Sequence, residues 1–317
     1  MKFLEKFKLL VALLLGVLVF TSCDDGQSAP MVDNSIAGIA GREANLSILV
    51  QALTKADLAN TLSSEGSYTV FAPTNTAFNT FLSANGFANL DAVPVPVLKE
   101  ILLNHVIPQA VQSSDLTTGY IKTLAKGTAS STNTLSMFVN TSSGVRLNGV
   151  ATVLTANITA SNGVVHVVDA VIGLPTIVTH ATANPNFSSL VGALTSSGQP
   201  DFVSILSGTG PYTVFAPTNS AFENLNAELA PGGIAGVSSE NLTKVLQYHV
   251  VSPANVLSST LTNNLTVTTI LGQNFTVNLS PARITDTNER VSTITAVDVQ
   301  CSNGVIHVLD KVLLPAF

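Results

Sequence analysis

Charge is scarce in this 317-residue chain, and tryptophan is absent from it. Only 10% of the residues are Asp, Glu, Lys or Arg, and the formal net charge is −6. No basic cluster occurs along the chain, whereas a protein that binds nucleic acid through its phosphates needs a positively charged surface. We therefore expect no nucleic-acid partner. The polar residues are largely Ser, Thr and Asn, which is typical of β-rich extracellular proteins.

Cysteine is almost as rare, because the chain contains only Cys23 and Cys301. Two cysteines cannot form a disulfide framework, so the stability of the protein has to come from its hydrophobic cores. Cys301 lies in an apolar stretch at a position where a matching segment earlier in the chain has Ala160. We interpret Cys301 as a small buried hydrophobic residue, with a reactive thiol as the less favoured alternative.

The N-terminus has the pattern of an export signal. Three lysines precede an apolar run from Leu9 to Phe20, and Thr21 and Ser22 lie directly before Cys23. This run is too short to span a bilayer, for which about 20 apolar residues are needed. We predict a signal peptide over residues 1–22. A cysteine after small residues resembles the lipobox of bacterial lipoproteins, although an ordinary secretory signal with an incidental cysteine is an alternative.

The lipoprotein interpretation has consequences for localisation. We expect acylation of Cys23, a short lipidated tether over residues 23–34, and anchoring at the outer membrane or cell surface, with a periplasm-facing position left open. The membrane is then a partner only through this N-terminal lipid.

One segment of the mature chain occurs twice. Tyr68 to Phe78 reads YTVFAPTNTAF and Tyr212 to Phe222 reads YTVFAPTNSAF, so ten of eleven positions are identical. Each copy predicts a strand, a proline that ends it, a threonine that caps a helix, and the first turn of that helix. The residues that we assign to these roles are Phe71, Pro73, Thr74 and Phe78 in the first copy and Phe215, Pro217, Thr218 and Phe222 in the second.

Two further motifs follow in each copy. Asn104 to Ile107 reads NHVI and Tyr248 to Val251 reads YHVV, and each contains one histidine, His105 or His249. Later, SNGVVHVVDAVIGLP and SNGVIHVLDKVLLP end at Pro175 and Pro315. These last segments contain the pairs His166 with Asp169 and His307 with Asp310.

These three ordered motifs resemble the fasciclin-like domain family, and the likeness covers nearly all of the predicted mature chain. The resemblance implies an α+β fold with two tandem domains, each a β-sandwich or wedge flanked by α-helices. We place the domains at residues 35–175 and 176–317. The first copy departs from the family pattern at Asn104, where the family usually has tyrosine.

Apolar periodicity predicts the same order, with helices first and strands after them in each copy. Asn162-Gly163 and Asn303-Gly304, between apolar runs, predict hairpins. Residues 173–184 are expected to join the two domains. The strand candidates are Ser136–Asn140, Val145–Leu147, Val150–Ile158 and Val164–Ile172, then Leu265–Ile270, Phe275–Leu279, Val291–Val299 and Val305–Val312.

No catalytic, cofactor-binding or metal-binding site is predicted. The five histidines are scattered, and the chain lacks zinc, nucleophile-elbow and phosphate-loop motifs. His166 and Asp169 are three residues apart, so on one regular strand they would point to opposite faces and could not form a dyad. We expect the motif histidines and carboxylates to be core residues that form hydrogen bonds.

The resemblance implies a non-enzymatic protein that mediates cell–cell or cell–matrix attachment through protein or polysaccharide partners. Two alternatives remain from other classes. The first is a carrier of an apolar ligand such as a carotenoid, and the second is a self-associating structural protein of the envelope.

Overall fold

The computed structural model describes residues 32–317, and residues 34–317 form one compact unit. The predicted signal peptide, the predicted acylation site Cys23 and most of the predicted tether lie outside the described residues. No helix in the described part of the chain is both long and apolar enough to cross a membrane.

The first repeat begins with helices and continues into a sheet. Its helices are α1 Ile36–Arg42, α2 Ser47–Lys55, α3 Ala59–Ser63, α4 Asn75–Ala84 and α5 Val95–Leu103. Its strands are β1 Tyr68–Pro73, β2 Val106–Ile107, β3 Gly119–Gly127, β4 Ser130–Asn140, β5 Arg146–Leu147, β6 Ala151–Ala160 and β7 Gly163–Val168. They form one seven-stranded sheet in the order β2-β1-β7-β6-β5-β4-β3, in which β1 and β7 are parallel.

The second repeat has the same plan. Its helices are α6 Ile177–Ala183, α7 Ser188–Leu194, α8 Phe202–Ser207, α9 Asn219–Glu228 and α10 Ser239–Tyr248. Its strands are β8 Tyr212–Pro217, β9 Val250–Val251, β10 Leu265–Thr268, β11 Asn274–Leu279, β12 Ala282–Thr285, β13 Val291–Cys301 and β14 Gly304–Leu309. The sheet order is β10-β11-β12-β13-β14-β8-β9, so strands at equivalent places in the two repeats have equivalent neighbours.

Each sheet separates two hydrophobic cores. On β1, Val70 and Ala72 pack against the helices, while Phe71 between them packs into the inside of the curled sheet with Met137 and Val168. This alternation follows from the period of two in a β-strand. Because both faces are covered, the central strands are apolar at nearly every position, as in the run Val164 to Val168. The predicted α+β fold is therefore the fold observed, and the β-sandwich or wedge expected in each domain is one curled seven-stranded sheet flanked by helices.

The predicted hairpins are also present, but the glycine in each has a different role from the one expected. Ala160 pairs with Gly163, so Ser161 and Asn162 form the loop and Gly163 already belongs to β7. A Cβ atom on Gly163 would lie 2.0 Å from the carbonyl oxygen of Tyr68 on the parallel neighbour β1. Gly304 has the same relation to Tyr212, at 2.1 Å. Glycine is needed here for the close approach of two strands.

Residues 173–184, which the sequence predicts to join the two domains, contain a helix of their own. Residues 177–183 of this segment form α6, which packs against α7, α8 and β14. His180 of α6 is fully buried. Its ring and the ring of Tyr120 in β3 pack in a T-shaped arrangement with their centroids 5.3 Å apart. Asn184 donates to the Tyr120 hydroxyl at 3.1 Å. The segment therefore packs between the two repeats as part of their junction.

Candidate functional site

The repeated proline corner is held by side chains on both sides of it. Thr74 accepts a hydrogen bond from the Ala77 amide at 3.2 Å and caps α4, and Thr218 accepts one from Ala221 at 3.4 Å and caps α9. Asn75, which sequence analysis did not single out, accepts from the Ile48 amide at 2.9 Å and so fixes the start of α2. The motif therefore positions two helices on the first strand.

The four motif phenylalanines are buried, but in two different cores. Phe78 and Phe222 pack with the helices on one face of their sheets, whereas Phe71 and Phe215 lie inside the curled sheets. Pro73 and Pro217 are buried beside them at the strand ends, and Thr74 and Thr218 are half-buried. These side chains stabilise the fold, and the buried phenylalanines and prolines are inaccessible to a partner.

His105 and His249 connect a helix end to the segment that follows the last strand. His105 Nε2 accepts a hydrogen bond from the Ile172 amide at 2.9 Å, so its Nδ1 carries the proton and donates to the Ile101 carbonyl oxygen at 2.7 Å. His249 repeats this arrangement with Leu313 and Val245. Burial lowers the pKa of each imidazole to about 4. Both rings are therefore neutral at physiological pH and bridge backbone groups.

The departure at Asn104 is a local substitution inside the first repeat. Asn104 is fully buried, donates to the Gly173 carbonyl oxygen at 3.0 Å and accepts from the Thr123 hydroxyl at 3.2 Å. Its counterpart Tyr248 is equally buried and donates to the Asn274 carbonyl oxygen at 2.6 Å. Each side chain donates to a backbone carbonyl oxygen within its own repeat, and neither is available on the surface.

The structure does not pair His166 with Asp169. His166 Nδ1 accepts from the Asn157 amide at 3.1 Å, and Nε2 donates to the Val111 carbonyl oxygen at 3.1 Å. His307 Nε2 likewise donates to Val256 at 2.8 Å. Burial lowers the pKa of both imidazoles. Each ring also stacks on a motif phenylalanine. The centroids of His166 and Phe71 are 5.5 Å apart, and those of His307 and Phe215 are 5.3 Å apart.

The placement of Asp169 as a core residue was wrong. Asp169 lies after the end of β7, is exposed, and accepts from the Thr152 amide of β6 at 2.6 Å. Asp310 is half-buried and accepts from Thr293 at 2.6 Å. A carboxylate at the surface avoids the cost of desolvation while still binding the neighbouring strand. Asp169 thus links β7 to β6, and Asp310 links β14 to β13. Both bonds lie close to a shift in the register of the strand pairing.

Two buried asparagines that were predicted only as turn residues are structural hubs. Asn162 accepts from the Ile36 amide at 2.9 Å and donates to the carbonyl oxygens of Leu62 and Ser64 at 2.8 Å each. Asn303 makes the equivalent three bonds in the second repeat. Each hub joins the hairpin to the first and third helices, a role that a hairpin signal in the sequence cannot reveal.

Within residues 32–317, no group of three or more His, Cys, Asp or Glu side chains could hold a metal ion. Burial raises the pKa of the Cys301 thiol, and its side chain is wholly enclosed. The motif histidines already form hydrogen bonds with the backbone. The repeated motifs thus provide a scaffold that presents the exposed helices and loops.

An enclosed apolar cavity lies between α6, α7, α8 and the sheet of the second repeat. Its volume is about 40 Å³, and its lining includes Phe187, Phe202 and Leu246. Ligand sites for drug-sized molecules have volumes of about 300–1,000 Å³. The cavity as it stands is therefore far too small for a carotenoid.

Comparison with known proteins identifies both repeats. The family model described as the fasciclin domain matches residues 44–175 and again residues 185–315. These two matches together span most of the chain and fall inside the domain limits that the sequence predicts.

Curated relatives include proteins from bacteria and animals. The chain is similar to protein sll1483 of Synechocystis, with 37% identity over 44% of the chain and 73% of that protein. It is 30% identical to human periostin over 81% of the chain and 29% of periostin. It is 31% identical to the porcine transforming growth factor-beta-induced protein ig-h3 over 79% of the chain and 35% of that protein. The chain thus spans only about a third of each of these two animal relatives.

Among solved structures, the chain resembles a FAS1 domain pair from the insect cell adhesion molecule fasciclin I. The TM-score is 0.51 at 20% identity, and the match covers 85% of this chain and 97% of the other. The similarity establishes a shared fold of two paired domains.

Proposed function

Because the chain belongs to the fasciclin domain family, we propose that it is a non-enzymatic surface protein that attaches its cell to other cells or to a matrix. Members of this family are adhesion and extracellular-matrix proteins and are generally not enzymes. The single observation that carries the proposal is the pair of fasciclin domains, whose motif residues mostly pack in the core and stabilise the fold. The partners we expect are extracellular proteins or polysaccharides.

The tandem arrangement supports attachment in a physical sense. Two domains that each bind weakly increase the apparent affinity, because binding of one raises the effective concentration of the other. Many copies anchored on one cell extend this effect. We therefore expect modest affinity for a single domain and durable attachment for a cell that displays the protein.

An attachment assay tests this function. A deletion strain and strains complemented with the wild-type chain or with Cys23→Ser are compared on surfaces coated with matrix proteins and with polysaccharides. We expect attachment to be lost on deletion and restored by the wild-type chain, and Cys23→Ser to restore less because the protein is not retained at the surface.

The histidine variants His166→Asn and His307→Asn provide a second comparison. If folded, they should restore attachment, because both rings are buried beneath the surface. Unchanged attachment of the deletion strain on every surface would refute the adhesion proposal. If the purified protein then carried a stoichiometric apolar ligand, the carrier alternative would replace it, and concentration-dependent polymers would favour the self-associating envelope protein.

A further inference from the structure

Each domain has an open groove on its helical side, and the two grooves lie at equivalent places. In the first domain the groove has a volume of about 450 Å³ and lies between α2, α4 and the loop that follows α4. In the second domain it has about 560 Å³ and lies between α7, α9 and the loop after α9. The positions Gln51 and Gly192 correspond, as do Asn79 and Glu223. The groove is therefore part of the repeated design.

The first groove offers hydrogen-bonding groups that the protein itself does not use. Gln51, Asn79 and Ser83 line it, all three are exposed, and none of their side chains forms a hydrogen bond within the described residues. An amide both donates and accepts, and a hydroxyl does the same. The half-buried ring of Phe87 lines the same space and presents an apolar surface beside these polar groups.

Charge is nearly absent from both grooves. Among the described residues, no ionisable side chain lines the first, and Glu223 is the one charged residue that lines the second. In the second groove the polar lining consists mainly of serines with Gln199 and Asn226. An anionic ligand would be repelled by Glu223 and by the net negative charge of the chain, and a cationic ligand would find no partner in the first groove.

We propose that the groove in each domain is a binding site for a neutral polysaccharide. A sugar ring carries hydroxyl groups that donate and accept at its rim and C–H groups on its faces. These match the amides and hydroxyl beside the Phe87 ring in the first groove, and the hydroxyls and amides of the serines, Gln199 and Asn226 in the second. The volume of each groove is within the range of sites for small ligands, about 300–1,000 Å³. This proposal rests on the proposed function and names the class of partner.

A titration of the full chain tests this assignment. Cellohexaose, xylohexaose and mannohexaose are titrated by calorimetry, with an acidic oligosaccharide such as a hexamer of galacturonic acid for comparison. We expect at least one neutral hexamer to bind with millimolar to micromolar affinity at two sites per chain, and the acidic hexamer to bind at least tenfold more weakly.

Variants assign the sites to the grooves. Gln51→Ala combined with Asn79→Ala should weaken binding in the first domain at least fivefold, with Asn60→Ala as the control because that exposed amide lies outside the groove. Gly192→Trp should fill the second groove, since a Cβ at Gly192 meets nothing within 4 Å. Gly41→Trp is its control, as Gly41 has equally open space but lies outside both grooves. We expect each groove variant to lose one of the two binding sites per chain, and each control variant to keep both.

Several results would overturn the proposal. The first is that no neutral hexamer binds at 10 mM, and the second is that the groove variants bind the hexamers as the wild type does. The third is a peptide whose binding is abolished by Gly192→Trp and is not competed by the hexamers. The attachment assay separates this failure from failure of the proposed function. If no neutral hexamer binds, or the groove variants leave binding unchanged, while attachment still requires the protein, the sugar sites are refuted and adhesion stands. If sugars bind in the grooves but deletion leaves attachment unchanged, adhesion is refuted and the sites stand.

Discussion

The ammonium group of Lys122 in the first domain donates to the backbone carbonyl oxygen of Asp298 in the second at 2.8 Å. The same ammonium group donates to the Ser136 hydroxyl at 3.1 Å. That hydroxyl also accepts from the backbone N–H of Gln300 in the second domain at 3.0 Å. Burial lowers the pKa of Lys122. Side chains of one domain thus satisfy backbone groups of the other, so the two domains are expected to behave as one body.

Gly127 provides a test of this junction. A Cβ atom there would lie 2.4 Å from the Cα atom of Ser302 in the other domain, so Gly127→Ala should force the contact apart. We expect a lower unfolding temperature, two resolved calorimetric transitions and a larger radius of gyration in solution scattering. Gly173→Ala is the control, since nothing lies within 4 Å of its added methyl group. Equal behaviour of the two variants would mean that the junction does not couple the domains.

Stability should fall in mild acid because of the buried histidines. The pKa of His105 and of His249 is about 4 in the folded protein, below the unfolded value of about 6.5. The unfolded chain therefore binds more protons between these values, and stability is lost as the pH decreases from 6.5 toward 4. Each histidine contributes a slope of up to about 1.4 kcal/mol per pH unit.

Urea unfolding across this range measures the slope. His105→Gln and His249→Gln lower the stability at pH 7 but should each flatten the dependence on pH, since glutamine does not titrate. His166→Gln is less suitable as a control because burial also lowers the pKa of that ring. A wild-type stability that is constant between pH 7 and pH 4.5 would contradict the assignment of neutral buried rings.

Phe215 should be among the most costly side chains to truncate. It is fully buried, packs edge-on against Phe275 at 5.0 Å and stacks on His307. Phe215→Ala should destabilise the protein by about 3–5 kcal/mol, and Phe71→Ala by a similar amount. Val297→Ala is a suitable control, because that side chain is 43% exposed and should cost less than about 0.5 kcal/mol. Denaturant unfolding gives both values, and similar losses for Phe215→Ala and Val297→Ala would refute the assignment.

The anchor is tested by fractionation of cells. Cys23→Ser removes the thiol that the predicted acylation requires, so the variant should move from the membrane fraction to the soluble fraction or the medium. Metabolic labelling with a fatty acid should mark the wild type and leave the variant unlabelled. Cys301→Ser, which changes a buried thiol, should keep the label. Membrane retention of Cys23→Ser would refute the lipid anchor.

The sequence predicted the central part of each domain well. The strand, proline corner and capped helix at Tyr68 to Phe78 appear as β1, Thr74 and α4, because propensity, capping and the proline all indicate the same local structure. The hairpin at the end of each domain was also recognisable. In these segments the local signals agree with the long-range packing.

Other elements could not be predicted from the sequence. The strand Gly119–Gly127 was missed because its lysines and small residues do not alternate regularly, and its pairing with β4 has irregular register. The strand Ala282–Thr285 is short and follows a proline, so its pattern resembles a turn. Helix Ile177–Ala183 contains a histidine at its buried centre, because that face packs on the other domain. The grooves depend on segments distant in the chain, which no local pattern brings together.

The parallel pairing of β1 with β7 has a consequence for how the chain is made. Val70 pairs with Val165, so the centre of the sheet joins the early part of the domain to its last strand. Contacts between such distant residues are slow to form, because a long loop must close before they contribute. The first domain therefore cannot complete its sheet until nearly all of its residues have been synthesised. Until then the apolar strands of the sheet remain partly unpaired and need protection from aggregation.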